Sequence, residues 1–224
     1  MSTPISQLNI FDFDQTISKQ HTFGESRVKA KQDLNVSLER CQARIKLGAD
    51  RAGPNLKKDL PRELFSLEGG NLFAIATYHN NPDHIAGYLQ QLLAEKITPT
   101  DEIHYSEDPV VAVRVYKIEG SDKPLLISYL PATGDDFQAL IKKLDGKNNQ
   151  INLLKKVALD KELVNGSTHY DFFDDSEANI KQARKGFDES NLTAHHIDKN
   201  NYSFSLVDNS TDITHAIERS KASA

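Results

Sequence analysis

The chain has 224 residues, 38% of them hydrophobic and 26% charged, which suits one α/β domain with insertions and excludes a fibre or a disordered chain. Its formal net charge of −5, with acids and bases interleaved, lacks the basic excess that nonspecific nucleic-acid binding needs. Neither DNA nor RNA is an expected partner.

The N-terminal MSTPISQLNI has no basic, apolar leader and passes into a buried strand from Gln7 to Phe13. Asp12 and Asp14 interrupt that run in FDFDQT, and acids there are costly unless they project from the strand's end. From Ser37 to Leu47 the spacing of Leu38, Cys41, Ile45 and Leu47 predicts a helix closed by Gly48, followed by a loop from Ala49 to Pro61. Cys41, the only cysteine, cannot form an internal disulfide, fits a reducing compartment and reads as a small apolar helix residue. NLFAIATYHNN then reads as a strand buried on both faces, ending near Thr77.

Asn81 and Pro82 open the next helix, whose apolar stripe is Ile85, Leu89, Leu92 and Leu93. EIHYSE predicts a third strand, VVAVRVYKIEG and KPLLISYLP a hairpin, DDFQALIKKL and NQINLLKKVAL two helices, and HYDFFDD a strand ending in Asp174 and Asp175. SEANIKQARK is helical, TAHHID and YSFSLV read as short late strands, and STDITHAIERS closes as a capped helix. The polar tail ERSKASA reads as fraying; export through such a C-terminal signal is not legible in its residues. No run approaches the roughly 20 apolar residues of a membrane helix, so a cytoplasmic protein with no membrane span is expected.

Alternating buried strands and amphipathic helices predict an α/β fold with a doubly wound, Rossmann-like parallel sheet, whose ligands lie at the carboxyl ends of the strands. That rule gathers Asp12, Asp14, Thr77, Asp174 and Asp175 at one edge. Four carboxylates so close repel by several kcal/mol without a cation, which predicts a hard divalent metal, most simply Mg²⁺. Lys147, just ahead of a helix start, adds an anion site, and the pocket suits a phosphoryl group. His195 and His196 lack zinc-ligand spacing and read as opposite faces of a strand; His21 and His79 lie closer to the site in sequence.

FDFDQT, IAT, GK and FFDD, in order over roughly residues 8 to 180, resemble the four motifs of the haloacid dehalogenase superfamily phosphatases. The resemblance implies a Rossmann-like core, an aspartyl-phosphate intermediate and Mg²⁺ dependence. It implies Asp12 as nucleophile and Asp14 as general acid and base, with its main-chain carbonyl on the metal. Thr77 would hydrogen-bond the phosphoryl group, Lys147 would neutralise nucleophile and phosphate, and Asp174 with Asp175 would hold Mg²⁺. Motif three here is a lone Lys, and motif four lacks the spaced Asp of some relatives.

The expected protein is thus a single domain over residues 1–224, with a helical cap insertion at 19–68 and a β-hairpin insertion at 109–131. Its expected activity is hydrolysis of a small phosphorylated molecule rather than a phosphoprotein. A phosphotransferase using the same residues, and a catalytically silent binding or regulatory protein, cytoplasmic or a secreted effector, stand as alternatives.

Overall fold

In the computed structural model, which describes residues 5–188, 191–207 and 213–222, β1 (Ile5–Phe11) runs through the middle of a seven-stranded sheet. β2 (Asn71–Ala76) and β6 (Val164–Asp174) flank it, both parallel to it. Beyond β2 lie β5 (Leu125–Tyr129), β4 (Ala112–Ile118) and β3 (Ile97–Tyr105), and beyond β6 lies β7 (Leu192–His196). β4 alone runs against its neighbours. The fold is α/β with a mostly parallel sheet, compatible with a Rossmann-like architecture.

Period-two alternation divides the central strands between two cores. Leu8, Ile10, Leu72 and Ala74 face one side, where α4 (Gly134–Lys143), α5 (Asn148–Asp160) and α6 (Glu177–Gly186) contribute Phe137, Leu154 and Ile180. Phe11, Phe73 and Ile75 face the other, covered by α2 (Leu38–Asn55), α3 (Pro82–Leu93) and α7 (Ile213–Ala222) through Ile45, Leu89 and Ala216. Helices thus cover both faces of the sheet, as the alternation of elements predicts. No helix of the described residues is long and apolar enough to cross a membrane.

Several expectations need correction. The second helix does not close at Gly48 but continues to Asn55, through most of the predicted loop. The reason is packing. A Cβ on Gly48 would lie 2.1 Å from the His84 carbonyl oxygen, and one on Gly87 would lie 2.1 Å from that of Ile45. The two glycines therefore let α2 and α3 touch backbone to backbone, so the long helix of the 19–68 segment lies along α3. What reaches the strand ends is the stretch from Asp14 to Val28, including the short α1 (Phe23–Ser26).

The 109–131 hairpin forms, yet within the sheet: β5 pairs parallel with β2, and β4 bridges β5 and β3. On β4, Arg114 and Tyr116 bury themselves against Asp83 of α3. YSFSLV makes only isolated bridges, Ser203 to Lys58 and Leu206 to Ile197, because its partners are loop residues. The tail does not fray within α7. Ser220 is buried, its hydroxyl accepting from Asn9 and its carbonyl from Asn71, while Arg219 pairs with Asp171. The residues expected to cap that helix lie outside the described residues.

Candidate active site

β1 ends at Phe11 and its ladder closes with one last bond, Asp12 N–H to the Phe173 carbonyl, so Asp12 is the first residue past the sheet. Thr77 follows the last residue of β2, and Asp174 ends β6. Three neighbouring parallel strands therefore deliver their terminal polar residues to one edge. Lys147 arrives from the opposite direction as the residue before α5, whose Gln150 fastens the turn by donating to the Thr77 carbonyl.

Oxygens of Asp12, Asp174 and Asp175 all lie within 4.8 Å of one another. The Lys147 ammonium donates to Asp12 Oδ1 and lies 3.3 Å from Asp174 Oδ2. Lys147 touches two of the three carboxylates and the buried Lys57 acts on Asp175 from farther off, so the acids outnumber the ammonium groups and a divalent cation would balance the surplus. The donors are all hard carboxylate oxygens, the chemistry that fits Mg²⁺ and suits softer metals poorly.

The electrostatics follow from this crowding. Burial first, then the neighbouring acids, push Asp12 above the ordinary carboxylate range; burial likewise raises Asp174. Burial alone would lower Lys147, but Asp12 and Asp174 hold it above its usual value. An ammonium hydrogen-bonded to one buried carboxylate and close to a second keeps its proton, and the surplus negative charge falls on the other acids.

Asp14 is set apart. Its Oδ1 accepts from both the backbone N–H and the hydroxyl of Thr22, each at 2.8 Å, and its carboxylate does not join the other three. Burial raises it, against the Thr22 bonds that favour the ionised form. Thr77 Oγ1 accepts the His79 N–H at 3.1 Å, leaving its own proton to donate. Of the two histidines near the site in sequence, His21 is exposed, 3.9 Å from Asp14 Oδ2, whereas His79 is buried. Burial pushes His79 down to about 3, so it is neutral.

Several residues here carried no signal in the sequence. Asn179, in the first turn of α6, donates to both Asp174 oxygens at 3.2 and 3.0 Å and accepts from the Tyr78 hydroxyl. The Tyr78 ring lies under the Lys147 ammonium, 5.0 Å away, and burial pushes its hydroxyl up to about 12. Thr16 donates to Asp175 at 3.5 Å.

The other candidates are structural. His195 is buried against Asp171 at 2.7 Å while His196 points to the Asp175 carbonyl, so they do occupy opposite faces of β7. Burial pushes the Cys41 thiol up to about 11, which keeps it unreactive near neutrality. A cavity of about 650 Å³ opens at the far edge of the sheet between Phe65, Leu93 and Ile118 and includes none of these acids. The acids lie at the strand ends instead. No family model, curated protein or solved structure matches the chain.

Proposed function

We propose that the chain is a Mg²⁺-dependent phosphatase of the haloacid dehalogenase type, hydrolysing a small phosphomonoester through an aspartyl-phosphate on Asp12. The observation that carries the reading is Lys147 buried among three carboxylates at the carboxyl edge of a parallel sheet, with a fourth, Asp14, held to one side by Thr22. A charge-lined pocket of this kind serves a group whose negative charge spreads over several oxygens during transfer.

Asp12 attacks phosphorus through the oxygen that Lys147 does not hold, and the bond to the leaving oxygen breaks as Asp14 gives that oxygen its proton. Asp14, now a carboxylate, takes a proton from water. That water attacks phosphorus, the acyl-phosphate bond to Asp12 breaks, and inorganic phosphate leaves. The Thr77 hydroxyl donates to a phosphoryl oxygen throughout, and burial favours the protonated Asp14 needed in the first step. Asp12, Asp174 and Asp175 are the residues that would hold Mg²⁺, which supplies positive charge against the phosphoryl oxygens when bound.

Near-complete burial of Thr77 (1%), Lys147 (2%) and Asp174 (0%) supports a small substrate over a folded phosphoprotein, since the phosphoryl group must enter a narrow opening. Hydrolysis of an aryl phosphate with Mg²⁺, abolished by EDTA and by Asp12→Asn, is the expected result. Undiminished turnover by a folded Asp12→Asn protein would overturn the covalent mechanism. Release of a phosphorylated alcohol rather than phosphate, when an alcohol is added, would mark a phosphotransferase.

A further inference from the structure

The stretch between β1 and α2 that carries Asp14 has little regular structure, yet it is fastened to the loop after β2 by an unbroken hydrogen-bond chain. His79 Nδ1 accepts the Asn81 N–H at 2.9 Å, so its ring proton sits on Nε2 and is donated to Ser26 Oγ at 2.7 Å. Ser26 Oγ donates in turn to the Thr22 carbonyl at 2.8 Å. Thr22 then delivers both its N–H and its hydroxyl to Asp14 Oδ1. Thr22, Ser26 and His79 are all buried. Parallel fastenings hold the same stretch: Asn81 Nδ2 donates to the Ser26 carbonyl, and the Asn80 amide both accepts from and donates to the Val28 backbone.

We infer that Thr22, Ser26 and His79 are positioning residues for the proton transfer, a chain that ties the Asp14 carboxyl to the strand end carrying Thr77. The inference rests on the phosphatase reading and deepens it.

Two donors on Oδ1 fix the carboxyl plane and leave Oδ2, the oxygen turned towards exposed His21, as the atom that gives and takes the proton. Without the Thr22 hydroxyl the group still has the Thr22 N–H but can swing about that single bond. Misplacing a general acid by a fraction of an ångström slows the step it serves while leaving binding alone. Ser26 holds the carbonyl of Thr22 and so sets the angle from which both donors arrive. His79 is buried and neutral and shares no bond with the acid cluster, so its part is mechanical.

The test measures enzyme phosphorylation by rapid mixing on two substrates, p-nitrophenyl phosphate and glycerol 2-phosphate, because only the alkoxide leaving group needs a proton as its bond breaks. Thr22→Val is expected to slow phosphorylation by glycerol 2-phosphate by about 10–100-fold. Its effect on p-nitrophenyl phosphate stays within a few-fold, with KM little changed on either. Thr22→Ser restores the wild-type rate on both substrates. Ser26→Ala shows the same bias towards the alkyl substrate at smaller size, and it carries the test if Thr22→Val does not fold.

Mg²⁺-induced thermal stabilisation, unchanged in every variant, reports that the acid cluster is intact. Equal losses on the two substrates, no loss, or failure of Thr22→Ser to restore the rate each overturn the positioning role while leaving the phosphatase reading in place. A wild-type protein without Mg²⁺-dependent phosphatase activity overturns the reading and the inference with it.

Discussion

Lys147 Nζ lies 3.3 Å from Asp174 Oδ2 while its hydrogen bond goes to Asp12, so one buried ammonium holds two carboxylates from different strands. Removing it leaves buried like charges facing each other. Lys147→Met is therefore expected to lose about 3–5 kcal/mol of stability in the absence of divalent cations. Added Mg²⁺ should return part of that, since it supplies the missing positive charge. Urea denaturation with and without Mg²⁺ measures both; an equal deficit in the two conditions would refute the link between the lysine and the metal.

The same cluster predicts a metal effect on folding that needs no substrate. A ligand that binds only the folded state stabilises by about 2.7 kcal/mol at 100 times its Kd. The thermal midpoint of the wild-type protein should rise with Mg²⁺ and fall back with EDTA. Asp174→Asn should lose most of the rise, because Asp174 is fully buried and its partners Lys147 and Asn179 are already placed. A full rise in that variant would remove Asp174 from the metal set.

Gly48 and Gly87 offer a stability test of the helix pair. Alanine normally gains up to about 1 kcal/mol over glycine inside a helix. Here the added methyl would lie 2.1 Å from a backbone oxygen in each case, so Gly48→Ala and Gly87→Ala should instead destabilise by about 3 kcal/mol. Gly53, on the same helix with nothing within 4 Å of its Cβ position, is the control, and Gly53→Ala should stabilise. Chemical denaturation of the three variants decides it; a stabilised Gly48→Ala protein would contradict the close approach.

What was legible in the sequence had a periodic or capped origin. β2 and α3 stand where NLFAIAT and the Asn81–Pro82 start place them, and the acids of β1 and β6 could be read because a strand that ends in Asp must end at an edge. Gly48 misled because a helix stop and a close helix contact both call for a missing side chain, and only the partner, Gly87, distinguishes them. Thr22 was invisible for a different reason. It lies eight residues after Asp14 in a stretch with no period, and its value comes wholly from where the loop folds back. The burial of Arg114 and Tyr116 was equally illegible, because Asp83, their buried partner, is distant in sequence.

On the sheet face opposite α4–α6, Asp171 is fully buried beneath α7, where it accepts from Gln7 at 2.8 Å, from Arg219 at 2.7 and 2.9 Å, and contacts His195 at 2.7 Å. Burial alone would raise this carboxyl, but the bonds from His195 and Arg219 outweigh it and hold the group below its usual range. The sign follows from linkage. A carboxyl lower in the folded than in the unfolded chain contributes stability that is fully present above its unfolded value, about 4, and is lost as pH falls through the folded value. Asp171→Asn should therefore cost about 1–3 kcal/mol near neutrality, because it leaves the half-buried Arg219 guanidinium facing a neutral amide. The gap between wild type and variant should narrow as pH falls below about 4. Taking the difference between two proteins that share every other acid isolates this group from Asp12, Asp14 and Asp174, whose raised values act with the opposite sign. Urea denaturation at a series of pH values measures the gap. A difference that stays constant below pH 4 would show that the Arg219–Asp171 pair does not hold α7 to the sheet by its charge.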